Sequence, residues 1–186
     1  MNIKDFIRFY KIEVEDELSY VFDTQKSTSI TPGDWTDAQG NRTHLQNMDV
    51  VACDDDKVHS IVSNWARQLS AKYGEEFKFP INAGSSPRFN RYTSDQKMES
   101  HIDHIHSCFD GQFKGVPVLS VIGGLNDDFK GGEFVFQFGF TEENYEEMPI
   151  RLGKGDVVVF PSIFPWRHQA MPVTEGIRYS WVSWVW

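Results

Sequence analysis

Cysteine is scarce: Cys53 and Cys108 are the only two in 186 residues. That is too few for a disulfide framework. Long apolar runs are missing, and none approaches the roughly 20 residues that span a bilayer. The opening MNIKDFIRFY breaks its apolar residues with charges. It therefore does not read as a secretory signal, and the cytoplasm is the default location. Positive charge is in deficit. Eighteen Lys and Arg stand against 27 Asp and Glu, a formal net charge of -9. Such a balance repels phosphate backbones and disfavours nucleic acid as a partner. Internal repeats, low-complexity tracts and long linkers are also absent.

What is present is aromatic mass, 15% of the chain, which implies a well-packed core. The pattern is that of one domain over 1–186, changing character near residue 75. In DDDKVHSIVSNWARQLSAKYG, Val58, Ile61, Val62, Trp65, Leu69 and Tyr73 recur at helical spacing. Asp54 to Asp56 offer N-caps, and Gly74 suits the left-handed position past the end. Residues 3 to 22 read as helical in part, or else as an edge strand. Residues 31 to 42 read as a loop. From residue 76 onward, short β-branched and aromatic segments alternate with Gly, Pro, Asn and Asp. About eight strands are expected there, as a sandwich or a barrel-like jelly roll supported by residues 1–75. In the last strand Ile177, Tyr179, Trp181 and Ser183 share one face, and Arg178, Ser180, Val182 and Trp184 the other.

Three of the six histidines fall in one stretch, MESHIDHIHS. Read as a strand, it places His101 and Asp103 on one face, about 7 Å apart at Cα, and His104 and His106 on the other. Two metal-binding readings compete: one imidazole with one carboxylate, or two imidazoles. Cys108 lacks the second cysteine of a zinc motif. The C-terminal region adds His168 and, ten residues later, Arg178. Two histidines and a carboxylate form the facial triad of non-haem Fe(II) oxygenases, and an arginine fork suits a carboxylate.

Taken in order, FNRY, HID, GGLNDDFKGGEFVF, GDVVVFPS and RHQAMPVTEGIRYSWVSW resemble the Fe(II)- and 2-oxoglutarate-dependent oxygenases, within them the prolyl 4-hydroxylase branch. The resemblance covers Pro87 to Trp186. It implies a mainly β fold with supporting α-helices and a double-stranded β-helix (jelly roll) core. It implies Fe(II) held by His101, Asp103 and His168, and 2-oxoglutarate held by Arg178 with Tyr92, Ser180 and Trp184. O2 would be the oxidant and ascorbate the reductant. The implied reaction hydroxylates an unactivated C–H bond and releases succinate and CO2. Proline in a peptide or protein is the first substrate choice, and a free amino acid or other small molecule the alternative. A cupin-like metal module and a nucleic-acid demethylase fit less well. The first is opposed by Arg178, the second by the acidic balance and by a final strand with no second arginine. One departure stands out: Gly124 precedes Leu-Asn where many of these hydroxylases carry a tyrosine, which implies space or water there. Met98 replaces a frequent aromatic.

Other residues take plain readings. His104 and His106 open a loop beside the metal, and Cys108 is a small, partly buried residue. Glu133 starts a strand. The run TEENYEE, 141 to 147, is a solvated loop or a rim favouring basic substrates. Trp35 and Trp166 belong to the core or to the rim, with Trp166 near the entrance.

Overall fold

A computed structural model describes residues 2–15, 18, 29–33, 35–36, 42–43, 46–103 and 115–186. The strands are β1 (Arg8–Lys11), β2 (Ser29–Pro32), β3 (Trp35–Thr36), β4 (Arg42–Thr43), β5 (Gln46–Asn47) and β6 (Asp49–Ala52). After the helix α1 (Asp56–Phe77) come β7 (Arg88–Tyr92), β8 (Lys97–His101), β9 (Leu119–Gly124), β10 (Phe129–Gly131) and β11 (Phe134–Phe138). The chain closes with β12 (Glu146–Ile150), β13 (Asp156–Pro161), β14 (Arg167–Ala170), β15 (Val173–Gly176) and β16 (Arg178–Val185). A seven-stranded sheet, ordered β1-β13-β9-β16-β7-β6-β2, faces a five-stranded sheet, β12-β11-β14-β8-β5. All strand pairs within them are antiparallel. This is the jelly-roll architecture expected, with more strands than the eight counted.

The central strands β9, β13 and β16 of the larger sheet are buried on both faces, which is why β9 and β13 read as continuous apolar runs. Val157, Val159, Val121 and Trp181 point outward onto Val58, Val62, Ala66 and Tyr73 of α1. Their neighbours Val158, Phe160, Ile122 and Val182 point inward onto Phe134, Phe136 and Phe138 of the smaller sheet. The period of two along β16 therefore holds, separating a helix-facing row from an inter-sheet row.

Asp55 caps α1, its Oδ1 accepting from the Lys57 and Val58 amides at 2.7 and 3.2 Å. The helix does not stop at Gly74. It runs on to Phe77, which packs on Phe6 and Tyr73 at centroid distances of 5.3 and 4.5 Å. Lys78 takes the left-handed position instead, at φ 57°. Ile3–Phe6 is only a short 3-10 turn, and the helical alternative for the opening gives way to the edge strand. There β1 satisfies its backbone along the rim of β13, pairing Arg8 with Val159 through Lys11 with Asp156. Within the expected loop at 31–42, Thr31 and Pro32 end β2, and β3 pairs with β4, Trp35 opposite Thr43 and Thr36 opposite Arg42. No helix among the described residues is long and apolar enough to cross a membrane.

Candidate metal and co-substrate site

His101 ends β8 and His168 lies opposite it on β14. The register slips between His168 and Ala170, so that Ala170 pairs with Met98. A bulge of this kind re-aims side chains beside it. Asp103 follows two residues after β8. Its Oδ1 stands 3.3 Å from His101 Nε2 and 3.6 Å from His168 Nε2. One ligand atom from each of the three residues falls in a group no wider than 4.8 Å.

The surroundings fix how these groups present themselves. His101 Nδ1 donates to the Glu99 carbonyl at 2.7 Å, and His168 Nδ1 to the Trp166 carbonyl at 3.1 Å. Both contacts leave Nε2 of each ring facing the shared centre, the nitrogen a metal would take. Asp103 Oδ2 accepts from Ser120 Oγ at 2.5 Å, and Ser120 meets Ser162 at 2.7 Å. His168 is walled by Phe134, Phe136 and Phe160, with Phe134 stacked at 4.9 Å. Burial, and then the nearby His168, push the His101 imidazole below its ordinary value. Burial opposes the charge on Asp103, yet the two imidazoles together hold its carboxyl well below the usual carboxylate range. A neutral nitrogen donor and an ionised carboxylate in a dry pocket suit a divalent cation.

The cavity beside this cluster is lined from the larger sheet by Arg178, Ser180, Val182 and Trp184 of β16, and by Arg88, Asn90 and Tyr92 of β7. Arg178, 2% exposed, lies with its guanidinium over the Tyr92 ring at 4.9 Å. Its Nε is buried without a hydrogen-bond partner, and no ion pair to it forms among the described residues. A buried charge left so is costly unless something enters to meet it.

Two sequence motifs earn their place by holding this arginine. Asn126 of the Leu-Asn pair donates to the Ile177 carbonyl at 2.7 Å and accepts from the Tyr179 amide at 2.8 Å. The backbone on either side of Arg178 is thus pinned. Gly132 of Gly-Gly-Glu sits at φ +66°, where an added Cβ would come within 3.0 Å of Arg178 Cδ. The bare backbone lets the arginine stem pass.

Residues 87–186 match the model of the 2OG-Fe(II) oxygenase superfamily. The chain belongs to the 2OG-Fe(II) oxygenase superfamily. A PKHD-type hydroxylase from Paraburkholderia xenovorans is 33% identical over 101 residues, 53% of this chain and 41% of the relative. Probable prolyl 4-hydroxylase 7 from Arabidopsis thaliana is 27% identical over 143 residues, 67% of this chain and 44% of the relative. The chain thus spans about two fifths of these relatives, at 41% and 44% of their length. The fold is shared with a Pseudomonas putida prolyl-4-hydroxylase structure, at TM-score 0.70 and 14% identity, covering 97% of this chain and 92% of that one. It is also shared with a Trichoplax adhaerens prolyl hydroxylase solved with a hypoxia inducible factor peptide fragment, at TM-score 0.73 and 16% identity, covering 97% and 83%.

Against that superfamily pattern, all seven residues singled out from sequence line one cavity: His101, Asp103, His168, Arg178, Tyr92, Ser180 and Trp184. Met98 lines it as well. The expectation of space at Gly124 is overturned. An added Cβ there would lie 2.3 Å from the Gly153 carbonyl oxygen and 2.4 Å from that of Leu152. Backbone, not void or water, fills the position a tyrosine would need. Glu133 immediately precedes β11, its carbonyl accepting from the Met171 amide at 2.8 Å, as a strand-starting residue does. Trp166 packs edge-on against Phe6 and donates to the Ile3 carbonyl at 3.3 Å, tying His168 to the amino-terminal turn. The run 141–147 is only partly a loop, since Glu146 and Glu147 begin β12. Glu146 pairs with Lys4, and Glu147 accepts from Tyr145 at 2.5 Å. His104, His106 and Cys108, and the side chain of Trp35, lie outside the described residues.

Sequence reasoning missed Arg88 and Asn90. The signal was available. Tyr92 faces the cavity, and a period of two along FNRY and the preceding arginine puts Asn90 and Arg88 on the same face.

Proposed function

We propose that this chain is an Fe(II)- and 2-oxoglutarate-dependent hydroxylase, with His101, Asp103 and His168 as the metal ligands and Arg178 as the anchor for the far carboxylate of the co-substrate. The observation that carries the reading is one cavity with two contrasting ends. At one end Nε2 of two tautomer-fixed histidines converges on a buried carboxylate. At the other, a buried guanidinium has an Nε with no hydrogen-bond partner and forms no ion pair among the described residues. A donor set of two imidazoles and one carboxylate fits Fe(II) and leaves three positions open. Iron, 2-oxoglutarate and O2 supply the oxidising chemistry, which adds a hydroxyl to an unactivated C–H bond and releases succinate and CO2. The protein's share is positioning and exclusion of water. Tyr92 lies under the Arg178 guanidinium and shapes the co-substrate end. Ser180 and Trp184 line the same wall, and the phenylalanines around His168 keep the metal end dry.

Proline in a peptide is the substrate we favour. The prolyl hydroxylase relatives and a neighbour solved with a peptide support that choice. The test incubates the protein with Fe(II), 2-oxoglutarate, ascorbate and a panel of proline-containing peptides and free amino acids. Mass spectrometry should find one added oxygen on a peptidyl proline, together with succinate. Succinate release stimulated only by small molecules, with every peptide unchanged, would reject the peptide substrate and keep the oxygenase.

A further inference from the structure

Arg88 is the second arginine lining the cavity, and neither the proposed metal ligands nor the co-substrate anchor includes it. It stands at the start of β7, opposite Val182 of β16, while Arg178 pairs with Tyr92 four residues further along the same strand. At about 3.3 Å per residue the two arginines are set some 13 Å apart along the sheet. Arg88 stacks on the Trp184 ring at 5.0 Å. Its Nε is buried with no hydrogen-bond partner, and it forms no ion pair among the described residues. Asn90, between the two arginines on the same face, has a buried Oδ1 that is also unpartnered, and so has Trp184 at Nε1. The contrast with Arg91 on the opposite face is clear. That guanidinium is satisfied by Asp49, through Nε at 3.0 Å and Nη2 at 2.6 Å.

Charge bookkeeping gives Arg88 a task. Among the described residues, the ionised groups in the cavity lining are two guanidinium groups and the Asp103 carboxylate, while the Glu133 charge acts on Arg178 from outside that lining. Adding a divalent metal and a doubly charged 2-oxoglutarate leaves one positive charge without a counterion. Arg178 is sealed at the floor of the cavity, whereas Arg88 retains partial exposure and feels the Asp103 charge at the metal end. The uncompensated cation is therefore assigned to the more exposed Arg88, not to the buried Arg178.

We infer that Arg88, with Asn90 beside it, is a specificity-determining subsite for a carboxylate carried by the primary substrate close to the carbon that is hydroxylated. This inference rests on the hydroxylase reading above. It narrows the substrate class to an acid: a free amino acid, or a peptide whose target residue carries or adjoins a carboxylate. A planar guanidinium fork stacked on Trp184, with an unpartnered Nε, suits two-point capture of that group.

The test needs no turnover. Protein labelled with 15N-arginine is loaded with Zn(II) and saturating 2-oxoglutarate. It is titrated with three acid and amide pairs: acetate and acetamide, L-proline and L-prolinamide, N-acetyl-L-proline and its amide. The Nε–H resonance of Arg88 is identified by its loss in Arg88→Gln and Arg88→Lys. Addition of 2-oxoglutarate should move the Arg178 resonance. At least one acid should then move Arg88 and bind roughly tenfold or more tighter than its amide. Which pair responds separates a free amino acid from a peptide-like carboxylate. Arg88→Gln should reduce the acid's advantage to within about twofold and keep 2-oxoglutarate affinity, while Arg88→Lys should retain part of the advantage. Equal binding of acids and amides, or no response of Arg88 to any acid, overturns the inference. Loss of 2-oxoglutarate affinity in Arg88→Gln overturns it differently, by giving Arg88 to the co-substrate. If the Arg178 resonance ignores 2-oxoglutarate, the underlying hydroxylase reading fails first.

Discussion

At the scale of single residues, the cluster depends on partners that are not themselves ligands. Ser120 is buried and donates to Asp103 Oδ2 at 2.5 Å. Removing such a support typically weakens metal affinity by about 10- to 100-fold. Ser120→Ala should therefore bind Fe(II) or Mn(II) that much more weakly while remaining folded, as metal titration of the variant will show. Protons compete with the metal in a direction the surroundings set. The folded-state value of His101 lies below its ordinary value because burial penalises the imidazolium. A group depressed on folding contributes stability above its unfolded pKa, about 6.5 for histidine, and loses it as pH falls toward the folded value. The metal-free protein should thus lose stability below about pH 6.5, and His101→Gln should flatten that part of the profile. Denaturant titrations at a series of pH values read both. Of these residues the sequence made the proposed ligands legible: alternation left His101 with Asp103 and His104 with His106 as rival pairs, and His168 with Arg178, together with the family resemblance, chose between them. It did not make Ser120 legible, since a serine in a strand carries no mark of the carboxylate it meets across the fold.

At the scale of elements, the site is set by where strands end and where backbone crowds. The end of β9 is closed by the segment after β12, with Gly155 donating to the Gly124 carbonyl at 3.0 Å. Gly124 is therefore a packing requirement and not an opening. Gly124→Ala should lower stability by about 1–3 kcal/mol, the usual cost of overpacking, or more, because a backbone carbonyl cannot yield as a side chain can. Gly124→Tyr should fail to fold or lose 2-oxoglutarate binding rather than improve it. Chemical denaturation of the alanine variant is the check, and unchanged stability would mean that the Leu152–Gly153 backbone moves aside. This contact joins residues far apart in sequence, so no local pattern announces it. The edge strand β1 was ambiguous for a related reason: its four residues, Arg8 to Lys11, become a strand only because the rim of β13 offers them partners. The helix α1 was legible in its body, where six apolar positions keep one period. Its end was not, because the packing of Phe77 on Phe6, not the glycine, decides where it stops.

At the scale of the whole molecule, two buried faces of one sheet do separate work. The outer face holds α1, and the inner face carries Arg178 and Arg88 toward the proposed ligands His101, Asp103 and His168. On the proposed reading, metal binding and co-substrate binding are separable, the first on β8, the Asp103 just beyond it and β14, the second on β16. One measurement tests the account most directly: anaerobic titration of the Fe(II)-loaded protein with 2-oxoglutarate, followed by the visible charge-transfer absorption of the iron chelate. The wild type should form one chelate per chain. Arg178→Ala should form it only at much higher 2-oxoglutarate, because losing a desolvated charge pair costs about 2–5 kcal/mol, while its Fe(II) content stays near wild type. His101→Ala, Asp103→Ala and His168→Ala should lose the metal and the band, and His104→Ala and His106→Ala should keep both. Wild-type absorption and affinity in His168→Ala, or in Arg178→Ala, would contradict the account.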